Sequence, residues 1–372
     1  MDSHTCQYYL GIVGSKRIPA PIFSRLLKKF GSAKALVNLP RSHYQQQGFN
    51  NEQINLLKNE GSKDGPLEAT EAALAWSEQP ENHLLCYESA QYPPLLREID
   101  APPALLFVRG YMGSLVRRHI ALVGSRNASA YGKRSAYWMA REISKAGIQI
   151  CSGLASGVDT KAHQGALDGN GRTIAVVGTG IDRIYPAKNA KLADKIIEDG
   201  ALISEFPLGT PPLSRNFPRR NRVISGLCEG TLVVEATMKS GSLITARLAV
   251  EQNRDVFALP GPIGSLQSRG CHYLIKQGAK LVEEPSDILE EMGIDGTKTI
   301  PIRDPASSKV AVPNLDTKCG STVLELIEDH GSLFESILAE CQLQLQELHA
   351  QLMELEADGL IHQKGGRYYR SN

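Results

Sequence analysis

The stretch Ile148-Gln149-Ile150-Cys151-Ser152-Gly153-Leu154-Ala155-Ser156-Gly157 decides the fold. A short apolar run, long enough for one buried strand, gives way to small, flexible residues at a tight turn. The same unit recurs along the chain. Apolar runs occupy 120–123, 148–151, 173–177, 201–203, 232–234, 256–259 and 280–282, and amphipathic stretches such as 131–146, 189–199 and 243–252 lie between most of them. Strands alternating with helices imply a parallel sheet covered on both faces. The pattern predicts an α/β fold, a doubly wound Rossmann-like domain, over 119–292.

Outward from this region the composition changes. Residues 1–75 read as a small helical domain of the SAM or helix-hairpin-helix kind. In 21–30, Ile22, Phe23, Leu26, Leu27 and Phe30 recur at helical spacing and Gly31 supplies a stop. Residues 76–118 read as a Pro-rich bridge, with Tyr92-Pro93-Pro94 and Ala101-Pro102-Pro103. Residues 293–318 are rich in Gly, Pro, Ser, Asp and Thr and read as a linker. Beyond it, 319–372 suggests a winged helix: helical stretches, then a hairpin formed by Leu360-Ile361-His362, a Gly365-Gly366 turn and Arg367-Tyr368-Tyr369-Arg370.

With 372 residues, 42% hydrophobic and 22% charged, the chain has material for two or three domains and needs no cystine or metal scaffold. No apolar run reaches the roughly 18 residues of a membrane span, and the start MDSHTCQYYLGIVG lacks the pattern of a secretory signal. The seven cysteines (Cys6, Cys86, Cys151, Cys228, Cys271, Cys319, Cys341) are scattered, with no C-x-x-C. They read as buried free thiols, consistent with a cytoplasmic protein. The net charge of +1 conceals an uneven distribution, and the unevenness is informative.

Several strands end in small residues: Gly124-Ser125-Arg126, the 152–157 loop with Gly153, Ser156 and Gly157, Gly178-Thr179-Gly180, and Ser240-Gly241-Ser242. In an open α/β sheet such loops gather at the carboxyl ends of the strands, beside helix N-termini that favour anions. They predict a phosphate-binding crest. Nucleotide fingerprints fit poorly. Gly178-Thr179-Gly180-Ile181-Asp182-Arg183 has arginine where the third glycine of G-x-G-x-x-G belongs, and Gly124 to Gly132-Lys133 has the wrong spacing for a P-loop.

Between Glu205 and Glu229 no acidic residue occurs, while Arg215, Arg219, Arg220 and Arg222 fall within eight positions. Asn216-Phe217-Pro218-Arg219-Arg220-Asn221-Arg222 leads into apolar Val223-Ile224. Pro218 suits the first turn of a helix with Phe217 at its mouth. Arg126 and Lys188 are expected from neighbouring loops. Arginines that track phosphates, with an aromatic on which a base stacks, are the recipe for single-stranded nucleic acid.

Asp159 and His163 lie four apart on one helical face, and Glu205 and Glu235 follow strands. No nucleophile–base pair accompanies them, and two metal-ligand types fall short of the three a catalytic site needs. Neither metal, cofactor nor enzymatic activity is expected. In the C-terminal unit, 321–360 holds nine acidic residues and no Lys or Arg. Its third helix, near 343–357, would carry Glu347, Glu354 and Glu356 towards phosphates, so a protein-contact or regulatory role fits it better than duplex recognition.

The same blocks resemble the DNA processing protein A family (DprA, also called Smf), known from bacterial natural transformation. They are Val123-Gly124-Ser125-Arg126; 152–159 with Ala162-His163; 177–182 with Tyr185-Pro186; Ser204-Glu205-Phe206-Pro207; 217–226; Val234-Glu235-Ala236; Ser240-Gly241-Ser242-Leu243; and Ala258-Leu259-Pro260-Gly261. The resemblance covers about 120–285. It implies a non-enzymatic, homodimeric protein that binds incoming single-stranded DNA and loads RecA onto it. Its pocket would comprise Ser125, Arg126, the Gly153–Gly157 loop, Lys188 and 217–222, that is Phe217, Pro218, Arg219, Arg220, Asn221 and Arg222.

The leading reading is therefore a single-stranded DNA-binding recombination mediator with Gly124, Ser240, Gly241 and Ser242 among its phosphate-seating loops. The alternative is a nucleotide-processing enzyme of the nucleoside monophosphate hydrolase type. Ser240-Gly241-Ser242-Leu243-Ile244-Thr245 lacks the Gly-Gly loop and following Glu of such enzymes. A third reading, a duplex-reading regulator, is opposed by the acidity of the C-terminal unit.

Overall fold

The computed structural model of the protein describes residues 3–15, 17–60 and 67–294, together with 323–327, 332–341, 348–349, 351–352, 355–356, 361–364 and 367–370. The chain forms two compact units, Met1–Ala128 with Ser135–Pro301 and Ser129–Arg134 with Ile302–Asn372.

The first unit is built on nine strands: β1 Asn82–Cys86, β2 Leu105–Gly110, β3 His119–Val123, β4 Gln149–Ser152, β5 Thr173–Val176, β6 Ala201–Ser204, β7 Gly230–Val233, β8 Asp255–Ala258 and β9 Lys280–Leu281. Their order is β1-β2-β6-β5-β4-β3-β7-β8-β9. All pairs among β3 to β9 are parallel. The chain order reverses at β3, which lies between β4 and β7, and this doubly wound arrangement is Rossmann-like. The seven apolar runs of the sequence are its seven parallel strands.

The sheet is larger than the sequence pattern predicts. β1 pairs antiparallel with β2, and β2 antiparallel with β6, so the stretch read as a bridge extends the sheet. Pro93, Pro94, Pro102 and Pro103 fall in the connection between the two strands, where Pro93 and Pro94 start the helix Pro94–Glu98 and Pro102 and Pro103 follow it, leaving both ladders intact.

Both faces are covered, as a sheet apolar on both sides requires. On one face Ile120, Leu122, Ile150 and Leu232 pack with Ala136, Met139 and Ile143 of the helix Ala130–Lys145 and with Val158 and Ala162 of Val158–Asp168. On the other, Ala121, Val123, Cys151 and Val233 pack with Val223, Ile224 and Leu227 of the helix Asn216–Leu227 and Ile196 of Ala190–Asp199. That second core continues into Tyr9, Phe23, Leu27, Tyr44 and Leu57 of the N-terminal helices. The helix expected over 21–30 is Ala20–Phe30. It ends where Gly31, at φ +85°, donates its N–H to the Leu27 carbonyl at 2.7 Å, a left-handed stop that glycine adopts without strain.

The cysteines described are free thiols. Cys86, Cys151, Cys228 and Cys271 are buried, whereas Cys6 and Cys341 are half-buried; Cys319 lies outside the described residues. The Cys6 and Cys86 sulfurs are 3.6 Å apart, and burial pushes the Cys271 thiol up to about 12. Among the described residues, no helix is long and apolar enough to cross a membrane.

In the second unit, β10 Ser332–Leu333, β11 Ile361–Lys364 and β12 Arg367–Arg370 form an antiparallel sheet in the order β10-β12-β11. The helices Val323–Leu326 and Phe334–Glu340 accompany it, and Val323, Ile337, Leu348, Leu352, Ile361 and Tyr368 form its core. The proposed linker lies almost wholly outside the described residues, as do the Gly365-Gly366 turn and much of the expected third helix.

Candidate nucleic-acid interface

At the topological switch point, β3 and β7 end side by side and their loops are joined, the Ser125 N–H donating to the Glu235 carbonyl at 2.8 Å. A cleft of about 810 Å³ opens there. It brings together Gly124, Ser125, Arg126, Phe217, Pro218, Arg220, Asn221, Ser240, Gly241 and Ser242 of the residues expected from sequence. Gly153, Ser156, Gly157, Lys188, Arg219 and Arg222 do not line it.

Phe217 occupies the second position of the helix Asn216–Leu227 and is half-buried. The Arg126 guanidinium lies over its ring, 5.1 Å from the centroid, and the exposed Tyr185 ring is 5.7 Å away. Gly178 allows this packing: a Cβ there would meet Phe217 Cδ1 at 2.8 Å. The sequence pattern alone does not bring Tyr185 to this site, because it stands there only in the motif Tyr185-Pro186. The available signal was an aromatic residue directly after the third glycine-rich turn.

Across the cleft, Ser240 caps the helix Gly241–Glu251 by accepting from the Ser242 N–H at 3.3 Å, and the two serine hydroxyls are 2.7 Å apart. The helix N-terminus, with exposed Gly241, faces the cleft and presents the positive end of a dipole.

The four clustered arginines diverge. Successive residues of a helix rotate by about 100°, so residues adjacent in sequence face different ways. Phe217 and Asn221, four apart, share the cleft flank. Arg219 and Arg222 lie on the opposite flank and pair with the buried Glu205: Arg222 Nη2 is bonded to Glu205 Oε2, and Arg219 Nη2 lies 3.5 Å from the same oxygen. Arg220 points inward and is 4% exposed. Its Nη1 donates to the carbonyls of Gly153, at 2.9 Å, and of Val176. Burial lowers its pKa to about 10, a shift that the Asp159 carboxylate opposes. Lys188 is exposed in the turn Ala187–Asn189.

The 152–157 loop is internally satisfied at two donors. The Asp159 carboxylate accepts the N–H of Gly153 at 3.1 Å and of Ala155 at 3.3 Å. Burial raises the pKa of Asp159, while Arg220 and these amides act in the opposite sense. His163, also buried, shares a hydrogen bond between its Nδ1 and the Thr173 hydroxyl at 2.8 Å. Asp159 and His163 thus serve separate packing roles. Among the described residues, no group of three His, Cys, Asp or Glu side chains is placed to hold a metal ion.

Comparison with known proteins fits this geometry. The family model for DNA recombination-mediator protein A matches residues 83–293. Protein Smf of Escherichia coli K12 is 44% identical over 311 residues, 82% of each chain. DNA processing protein DprA of Streptococcus pneumoniae R6 is 48% identical over 200 residues, 54% of this chain and 71% of that one. The X-ray structure of DprA from Streptococcus pneumoniae superposes with a TM-score of 0.58 at 37% identity, covering 74% of this chain and 98% of that one. DNA processing protein A from Helicobacter pylori, whose structure was described for its single-stranded DNA binding mode, gives 0.52 at 29% identity over 57% of this chain and 95% of that one. The matched span begins within β1 and ends after β9, so it takes in the antiparallel edge as well as the parallel sheet and its switch-point cleft, and on these grounds the chain belongs to the DNA recombination-mediator protein A family.

Proposed function

We propose that the switch-point cleft binds single-stranded DNA and that the protein is a recombination mediator. It would protect incoming single strands and load RecA onto them, as in natural transformation, acting in the cytoplasm as a homodimer and without catalysis. The observation that supports this most directly is the half-buried Phe217 ring under the Arg126 guanidinium, opposite the N-terminus of the helix Gly241–Glu251. A base stacks on the aromatic and its phosphates meet the arginine and the helix end. The description of the Helicobacter pylori relative as a single-stranded DNA-binding protein agrees with it.

In this reading Gly124, Ser125, Arg126, Phe217, Pro218, Asn221 and Ser240 to Ser242 form the contact surface. Arg220 and the 153–157 loop shape it from behind, Arg219 and Arg222 hold the helix to Glu205, and Lys188 adds outlying charge. Residues 1–75 act as a helical accessory domain, and 319–372 as a winged helix whose acidic character suits a protein partner.

Fluorescence anisotropy of a labelled oligo-dT, with duplex competitor at two salt concentrations, tests the proposal. Salt-sensitive binding that duplex barely displaces is expected. Equal displacement by duplex, or no binding, would overturn it.

A further inference from the structure

The turns that follow β5 and β6 are locked together at the carboxyl edge of the sheet. The Gly209 N–H, after β6, donates to both carboxylate oxygens of Asp182, after β5, at 2.9 and 3.0 Å. The Gly180 N–H donates to the Thr210 carbonyl at 2.9 Å. Gly180 fills the gap between the two turns: a Cβ there would meet Asp182 Oδ1 and, at 2.7 Å, the Pro207 carbonyl oxygen. From this anchor a stiff segment leads to the helix Asn216–Leu227. The rings of Pro211 and Pro212 fix φ. The Leu213 N–H donates to the Pro211 carbonyl, and the Asn216 N–H to the Leu213 carbonyl, both at 2.9 Å. The position set at Gly209 is thereby passed on to Pro212 and Ser214, which line the cleft together with Phe217.

Asp182 is exposed, and Tyr185, three residues on, lines the same cleft. A carboxylate in that place repels the phosphates of an arriving strand. As a charge it works against binding, so what it contributes is the hydrogen bond to Gly209. We propose that Asp182 is a positioning residue for strand binding. It holds 207–215 as one wall of the cleft, and the gain from a fixed wall exceeds the cost of its charge. The role rests on the reading of the cleft as a single-stranded DNA site and adds to it a residue that acts only through the backbone it holds.

Two substitutions separate the charge from the hydrogen bond. Asp182→Asn removes the charge and keeps an acceptor for Gly209, whereas Asp182→Ala removes both. The experiment is fluorescence anisotropy of a labelled oligo-dT with the full chain at two salt concentrations. Asp182→Asn is expected to bind at least as tightly as the unaltered protein. Asp182→Ala should bind about fivefold more weakly than Asp182→Asn, the loss that one backbone hydrogen bond carries. The two variants have the same net charge, so the gap between them should persist at both salt concentrations. Titration at high protein concentration should give the full number of sites in each, which separates a displaced wall from a misfolded chain. Equal binding by the two variants, or tighter binding by Asp182→Ala, would overturn the role. So would a loss of sites at unchanged affinity. Failure of the unaltered protein to bind oligo-dT would overturn the cleft reading and this role together, which tells the two failures apart.

Discussion

The Gly153 carbonyl accepts from Arg220 Nη1 at 2.9 Å, while the N–H of the same glycine donates to Asp159. One backbone unit thereby joins a buried cation to a buried anion. A Cβ on Gly153 would lie 2.6 Å from Arg220 Nη2 and 2.8 Å from Asp159 Oδ2, so the tips of both buried side chains would have to shift. Gly153→Ala should destabilise the protein by about 1–3 kcal/mol, read as a lower urea midpoint, because the shift disturbs the hydrogen bonds that Arg220 and Asp159 make to this loop.

Arg220→Ala should cost more, about 3–5 kcal/mol, because it leaves Asp159 without its counter-charge and two carbonyls without donors. The check is to compare stability with the salt dependence of oligo-dT binding. A large stability loss with an unchanged salt slope fits a packing arginine. An unaltered urea midpoint with a flattened slope would place Arg220 on phosphates instead.

Phe217→Ala and Arg126→Ala should separate stacking from charge. Loss of the ring is expected to weaken oligo-dT binding by about 1–3 kcal/mol at every salt concentration. Loss of the Arg126 charge should reduce the slope of log affinity against log salt by about 0.7. Anisotropy at four salt concentrations distinguishes a parallel shift from a change of slope.

Arg222 is bonded to Glu205, whose side chain is 4% exposed. Arg222→Ala is expected to lower the urea midpoint, because a buried carboxylate loses its main partner. Its effect on the oligo-dT salt slope should be smaller than that of Arg126→Ala. A slope change equal to that of Arg126→Ala would bring Arg222 to the strand.

Two buried histidines set an acid limit. Burial lowers the pKa of His163 to about 3 and that of His119 to about 4, below the ordinary value of 6.5. Each is held neutral in the folded chain and takes up a proton on unfolding. Their stabilising contribution is complete above pH 6.5 and is lost as the pH falls towards those lowered values. The expected loss is about 1.4 kcal/mol per pH unit for each histidine. Urea unfolding at pH 7, 6 and 5 measures the slope, and His163→Gln should remove about half of it.

The parallel sheet was legible because each strand is a short apolar run ending in small residues, and seven runs gave seven strands. β1 and β2 were hidden by prolines that punctuate the space between them. The cleft was legible from the glycine loops and from Phe217 at a helix start. Which arginines face it was not, because four charges within eight positions of a helix spread around its axis. Arg220 turned into the core and Arg219 and Arg222 turned to Glu205, a partner more than ten positions away. Tyr185 came to Phe217 by the same long-range folding, which one-dimensional spacing does not report.

The strand order also bears on how the chain must assemble during synthesis. Ile120 of the central strand pairs with Gly230, and Phe107 with Ser204. When β3 leaves the ribosome, its β7 neighbour has not been made. The N-terminal helices and β1–β2 emerge with apolar faces whose partners follow much later, so closure of the core waits for most of the polypeptide. Such non-local pairing slows folding and leaves partly made chains open to association. A truncation ending before β7 should therefore collect in the insoluble fraction, and one ending after β9 should not.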